Sequence, residues 1–386
     1  MFLAAAPYFQ HRLQSDDWAA THYQPSILSV STITNLGTAF TLAKLQKGAS
    51  YPRRVVLSLL IHIVVFTILS FSTILIEDVA AGTYFDFLMV MVFGASLATG
   101  ANQNGVFAYV SGFGREEYTQ AIMAGQAVAG VLPSFVQILS VVAVPEQSEN
   151  QDVPQQSAKS AFIYFITATG VSSSSLIAFL ALTKRCSGRQ SMLPIEDDGS
   201  ILSEHVDRKT VGLWTLFKKL RWSALAVFMC YMITMVYPVY AAEIESVHDD
   251  TGRSRLFQPS IFVPLAFLFW NAGDLIGRMI VLIRQLSLMY RPRMVFLLSV
   301  ARVGFIPLYL LCNIRGRGAV VQSDVFYLFV VQALFGISTG YLGSNCMMGA
   351  GHWVSVEERE PAGGFMSLMI VGGLTAGSLM SFLIAS

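Results

Sequence analysis

Ten apolar stretches of twenty residues or more recur along the chain, near 24–43, 54–76, 84–110, 118–144, 160–183, 222–242, 260–284, 293–313, 323–349 and 363–385. About 20 apolar residues in a helix cross the ~30 Å hydrocarbon core of a bilayer. The repetition restricts the chain to an all-α, polytopic transmembrane helix bundle, the lipid bilayer being its first partner. Composition agrees: 54% of the 386 residues are hydrophobic and 13% are charged, about half the charged share of a soluble domain.

The opening, MFLAAAPYFQHRL, is too short to span before His11, Arg12, Asp16 and Asp17 interrupt it. It lacks the basic start and small-residue cleavage site of a signal peptide. It reads as the end of a truncated first helix. The expected organisation is an N-terminal transmembrane bundle at 1–183 (helix 1 partial, helices 2–6), a cytoplasmic linker loop at 184–221, and a C-terminal bundle at 222–386 (helices 7–11). Lys184, Arg185 and Arg189, an acidic patch at Glu196, Asp197 and Asp198, and the basic end at Lys218, Lys219 and Arg221 mark the linker.

Assigning loops alternately to two sides places 17 of the 25 basic residues on one side. The other side collects only Arg12, Lys159, Arg253, Arg255, Arg315 and Arg317. Basic loops stay cytoplasmic, so the linker is predicted inside and Ser386 outside. A net charge of +1, with the basic residues in short clusters between spans, leaves no nucleic-acid reading. Cys186, Cys230, Cys312 and Cys346 are scattered without a CxxC pair or a histidine at ligand spacing, so no metal site is expected. No nucleophile with a nearby base and no phosphate-cradling loop emerges; the chain does not read as an enzyme, and no cofactor or obligate protein partner is evident.

The informative span is 261–283, IFVPLAFLFWNAGDLIGRMIVLI, which holds Asn271, Asp274 and Arg278. At roughly 100° per residue, Phe267, Asn271, Asp274 and Arg278 share about 60° of arc, with Gly273 and Gly277 on the other side. One face is expected to carry chemistry and the other to pack. A charge at the bilayer centre costs on the order of 2.5–3.5 kcal/mol, so two imply a partner, a polar cavity, or both. Asp274 and Arg278 are four apart and can pair, either merely gluing helices, with Arg302 as a third member, or offering an acceptor and a donor to a vicinal diol. Asn102, Gln103 and Asn104 point in three directions, so at most one or two can face a cavity and the rest must bond neighbouring helices. An amide carries both donor and acceptor and suits the edge of a heterocyclic base. Phe267 and Trp270 can stack on a planar ligand or simply be core. His62 reads as a satisfied buried histidine. Pro133, Pro238, Pro264 and Pro307 permit bending, and the small residues at Gly125–Gly130 and Gly372–Gly377 read as close packing. Bundles around a polar midplane fit a secondary transporter.

APYFQHRL, FGASLATGANQNGVFAYVSGF, GQAVAGVLPS, FLFWNAGDLIGR, RVGFIPLYLLCN, ALFGISTGYLGSNCMM and EREPAGGFMSL occur in that order. With them the chain resembles the equilibrative nucleoside transporters, solute carrier family 29, over nearly its whole length. The resemblance implies a major-facilitator-like bundle of six plus five helices with the amino end cytoplasmic, and a nucleoside as substrate, with nucleobases as an alternative cargo. It implies that Asp274 and Arg278 contact the ribose, Gln103 reads the base, Asn271 and Phe267 line or support the cavity, and Leu3 lines the base pocket. The family's first helix carries a Trp-Asn pair absent here, which fits an incomplete first helix. Facilitated transport by alternating access is the expected function, in a plasma or vacuolar/lysosomal membrane. Proton coupling through Asp274, Glu77 or Asp78, and a non-transporting scaffold or receptor built on the fold, are the alternatives.

Overall fold

The computed structural model describes residues 2, 5–46, 48–75, 79–143, 153–190, 210–241, 243–247, 257 and 259–385. In chain order the helices are α1 (Ala6–Arg12), α2 (Asp17–Lys44), α3 (Tyr51–Leu75), α4 (Ala81–Gly112), α5 (Glu116–Ala143), α6 (Val153–Gln190), α7 (Leu213–Ala241), α8 (Pro259–Ile280), α9 (Pro292–Ala301), α10 (Phe305–Leu310), α11 (Leu334–Gly349) and α12 (Arg359–Ala385). Among the described residues nine helical stretches are long and apolar enough to cross a membrane, and α5 carries the remaining predicted run. The chain is an all-α, multi-pass integral membrane protein. Glu77, Asp78, Leu3 and the middle of the predicted linker, 191–209, lie outside the described residues.

Helix ends depart from the apolar runs where polar groups decide them. α2 begins at Asp17 because the Asp16 carboxylate accepts the backbone N–H groups of Trp18 and Ala19, each at 3.1 Å, satisfying donors that a helix start leaves orphaned. α8 stops at Ile280, short of the run's end. The following loop is tied to α11, whose Asn345 Oδ1 accepts the Leu288 N–H at 2.7 Å. The run 293–313 is broken by a 3-10 turn at Arg302–Gly304, and α11 is preceded by a π-helical stretch, Phe326–Ala333.

The chain forms two compact units, 1–109 with 149–210, and 110–148 with 211–386. In the first, Phe9, Leu13, Tyr84, Leu88 and Phe165 form a buried core. Polar contacts between helices are local: Ser96 to Ser31 at 2.9 Å and His62 to Thr99 at 3.2 Å. His62 is half-buried rather than buried, with Nε2 bonded to Thr99 and the ring stacked on Phe66.

The second unit is held by backbone-to-backbone packing. A Cβ added to Gly373 or Gly377 of α12 would overlap the carbonyls of Phe228 and Met232 on α7, so the predicted small-residue stripe is a packing face. Without hydrophobic drive between helices in lipid, such close approach is what holds them together. At the ends of these two helices Lys219 Nζ donates to both Glu358 oxygens, at 2.7 and 2.6 Å. Arg302 is buried and donates to neutral groups, with no carboxylate among the described residues paired to it: Cys230 O at 2.6 Å, Cys230 Sγ at 3.1 Å, Thr234 Oγ1 at 3.1 Å, Ser338 Oγ at 2.9 Å and Thr339 Oγ1 at 2.5 Å. Its guanidinium lies 4.3 Å from the Phe335 ring centroid, a cation–π contact strengthened by the dry surroundings.

Candidate functional site

The site is built on α8, and the predicted division of its faces is what the helix displays. A Cβ on Gly273 or Gly277 would overlap the carbonyls of Ala333 and Ile337, while one on Gly336 or Gly340 would overlap those of Trp270 and Asp274. α8 and α11 therefore meet backbone to backbone through four glycines, which fixes the rotation of α8. That rotation turns Asp274 and Arg278 toward α5.

Asp274 Oδ2 accepts from Arg278 Nε at 2.8 Å, with the two side chains 12% and 6% exposed. The second carboxylate oxygen, Oδ1, is buried and has no hydrogen-bond partner among the described residues. Arg278 Nη1 donates to the Met123 carbonyl on α5 at 2.7 Å. The Arg278 backbone carbonyl belongs to the last turn of α8, where acceptors lack intrahelical partners. The side-chain amide of Gln120, also on α5, donates to it. This carbonyl sets the orientation of the Gln120 amide, and its Oε1 is left buried without a partner among the described residues. A buried unsatisfied acceptor costs about 1–3 kcal/mol; two of them around one arginine are places where an arriving donor is stabilising.

Asn271 donates Nδ2 to Phe267 O at 2.8 Å on its own helix, and its Oδ1 lies against Gly130 of α5. It buttresses the α5–α8 packing. Phe267 sits beside Trp270, ring centroids 5.8 Å apart, at the edge of an aromatic cluster. Arg302 is not a third member of the Asp274–Arg278 hydrogen-bonded pair; its donors go to the neutral groups given above.

In the first unit, the amide triplet sorts as its helical spacing requires. Asn102 Oδ1 accepts from Ser58 Oγ at 3.3 Å and Asn104 Oδ1 from Arg54 Nη1 at 3.0 Å. Gln103 is half-buried within α4, and its side chain has no hydrogen bond to a described residue. His352, on which sequence placed no role, pairs with Glu116 at the start of α5 and packs on Tyr290. Sequence reasoning also missed Gln120 and Met123, because a glutamine one turn after Glu116 and Glu117 looks like an ordinary helix end. No metal-holding cluster occurs among the described residues.

An acceptor and a donor held together in a low-dielectric setting suit hydroxyl recognition, since hydrogen bonds to charged groups strengthen there. The nucleoside transporter family model matches residues 88–191 and 189–386. The chain belongs to the nucleoside transporter family. It is 30% identical to the nucleoside transporter FUN26 of Saccharomyces cerevisiae, over 98% of this chain and 80% of that protein. Human equilibrative nucleoside transporter 1 is 28% identical over 78% of this chain and 68% of its own length. Human equilibrative nucleoside transporter 2 is 24% identical over 99% and 92%. Among solved structures, the Escherichia coli fucose:proton symporter FucP aligns with a TM-score of 0.56 at 14% identity, covering 99% of this chain and 89% of that one. The same transporter in an outward conformation, described as a major facilitator superfamily member, gives 0.52 at 16% identity, over 99% and 91%. The fold of this family member is accordingly major-facilitator-like, and the family is one of transporters rather than enzymes.

Proposed function

We propose that the chain moves nucleosides down their concentration gradient across a membrane by alternating access. In this reading Asp274 and Arg278 contact the ribose, Gln103 reads the base, Asn271 and Phe267 support the cavity, and Leu3 lines the base pocket. The observation that carries it is the Asp274 carboxylate, one oxygen committed to Arg278 and the other buried with no partner among the described residues. A ribose hydroxyl supplies the missing donor and accepts in turn from the guanidinium. The names of the relatives support the cargo.

Counterflow tests this reading. Proteoliposomes of the purified protein, preloaded with unlabelled uridine or adenosine at equal pH on both sides, are expected to take up labelled nucleoside faster than unloaded ones. Accumulation only under an imposed pH gradient would replace facilitation by proton coupling, and binding without flux would mark a scaffold.

The same reading extends to Gln120. Gln120→Leu removes both the bond to the Arg278 carbonyl and the unpartnered acceptor. About 1–1.5 kcal/mol for one hydrogen bond corresponds to a roughly five- to tenfold rise in uptake KM. Initial-rate measurements should show this with little change in maximal rate per transporter at the membrane. An unchanged KM would remove Gln120 from the site.

A further inference from the structure

Away from the Asp274 site, the first unit presents an open cleft of about 360 Å³ between α3 and α6. The two helices run antiparallel: Pro52 and Thr183 border the same cleft, while Ser70 near the other end of α3 reaches the Phe162 carbonyl. The beginning of α3 and the end of α6 therefore lie at one membrane edge, and both bring cations to it.

The walls are apolar. Val56, Leu57 and Leu60 line one side, and Phe179, Leu180 and Thr183 the other. Leu57, Leu60 and Leu180 are 60%, 44% and 47% exposed, as expected of side chains that meet lipid. Phe179 is held edge-on by Tyr109, ring centroids 5.7 Å apart. The Thr183 hydroxyl turns back to its own helix, to Phe179 O at 3.1 Å and Leu180 O at 3.0 Å, leaving its methyl to the cleft.

At the mouth, Arg53 borders the cleft and continues the α3 stripe, three residues before Val56 and four before Leu57. Lys184 continues the α6 stripe four residues after Leu180. Both are exposed, and neither pairs with a carboxylate among the described residues. The adjacent Arg54 is the instructive contrast: it is consumed by the structure, donating to Leu42 O at 3.1 Å, to Asn104 Oδ1 at 3.0 Å and to Leu45 O. Two neighbouring arginines thus have different assignments, one internal and one outward.

We propose that this cleft is a binding site for an anionic phospholipid, with acyl chain along the Val56–Leu60 and Phe179–Thr183 walls and headgroup between Arg53 and Lys184. A soluble anion would leave the apolar walls unused, and a zwitterionic lipid would leave the cations uncompensated. Basic pockets between spans at the cytoplasmic edge are a recurrent solution for holding such headgroups, and the basic-loop bias assigns this edge to the cytoplasm.

Native mass spectrometry of the purified full chain, with phosphatidylserine and phosphatidylcholine as competing probes, tests the site. About fivefold preference per cation predicts retention of phosphatidylserine at least tenfold over phosphatidylcholine. The preference should be lost in Arg53→Gln/Lys184→Gln and kept in Arg284→Gln/Arg291→Gln, which removes equal charge elsewhere. Leu180→Trp, which fills the cleft but leaves the cations, should also displace the lipid. Equal retention of both lipids, equal loss in the two double variants, or full binding by Leu180→Trp would each overturn the proposal. The substituted side chains are exposed, so the folded protein is expected to persist, as monitored by its thermal midpoint.

Discussion

Asp274→Asn is expected to lower ribonucleoside uptake at least tenfold while the protein still reaches the membrane. Removing the carboxylate altogether, as in Asp274→Ala, leaves the buried Arg278 guanidinium without its partner, a change worth about 3–5 kcal/mol that endangers the fold itself. Asparagine separates the two effects. Its side-chain oxygen can still accept from Arg278 Nε where Asp274 Oδ2 does now, at 2.8 Å. Its amide nitrogen then occupies the place of the unpartnered Oδ1, presenting a donor where the proposed ribose contact needs an acceptor. Losing a hydrogen bond to a charged group costs about 1.5–3 kcal/mol, or roughly 10- to 150-fold. Uptake assays corrected for surface abundance measure this. A nucleoside lacking one ribose hydroxyl supplies the reciprocal control: the unaltered protein should discriminate against it, and Asp274→Asn should discriminate less. Normal uptake by Asp274→Asn would refute the ribose contact.

The second large effect belongs to the other face of the same helix. Gly336→Ala/Gly340→Ala is expected to prevent recovery of folded protein, because each new methyl meets a main-chain carbonyl, of Trp270 and Asp274, rather than a movable side chain. Overpacking costs about 1–3 kcal/mol per site where neighbours can shift; here a whole helix must retreat, so the pair should exceed ~3 kcal/mol. Size-exclusion profiles of detergent-solubilised protein and its thermal midpoint report the loss. Gly125→Ala and Gly170→Ala, whose added Cβ would have nothing within 4 Å, should be tolerated. If the α11 double variant were as stable as these controls, backbone contact would not be what orients α8.

What could be read in the sequence follows from which physical signal each feature leaves in one dimension. The spans were legible because hydropathy alone decides what can sit in lipid, and Asp274 and Arg278 because charge inside such a run is conspicuous. The sorting of Asn102, Gln103 and Asn104 was legible in part, since three adjacent helical residues cannot face one way. The start of α2 was not, because Asp16 acts through a capping bond outside the apolar run. Gln120 lay hidden for a similar reason: its role depends on the carbonyl left open where α8 stops, and that stop is set by contacts with α11. The π-helical stretch before α11 and the neutral surroundings of Arg302 are products of tertiary packing, with no periodic trace in the chain.

Arg302 has an electrical consequence. The charges of Asp274 and Arg278 cancel as a pair, whereas the Arg302 guanidinium is held by dipoles and an aromatic face. A helix shifted by one turn, ~5.4 Å of a ~30 Å core, would carry that charge through about a fifth of the membrane field. At 100 mV this is worth about 0.4 kcal/mol, enough to bias a conformational equilibrium nearly twofold. A carrier whose cargo is uncharged can in this way still feel the voltage of the membrane it occupies.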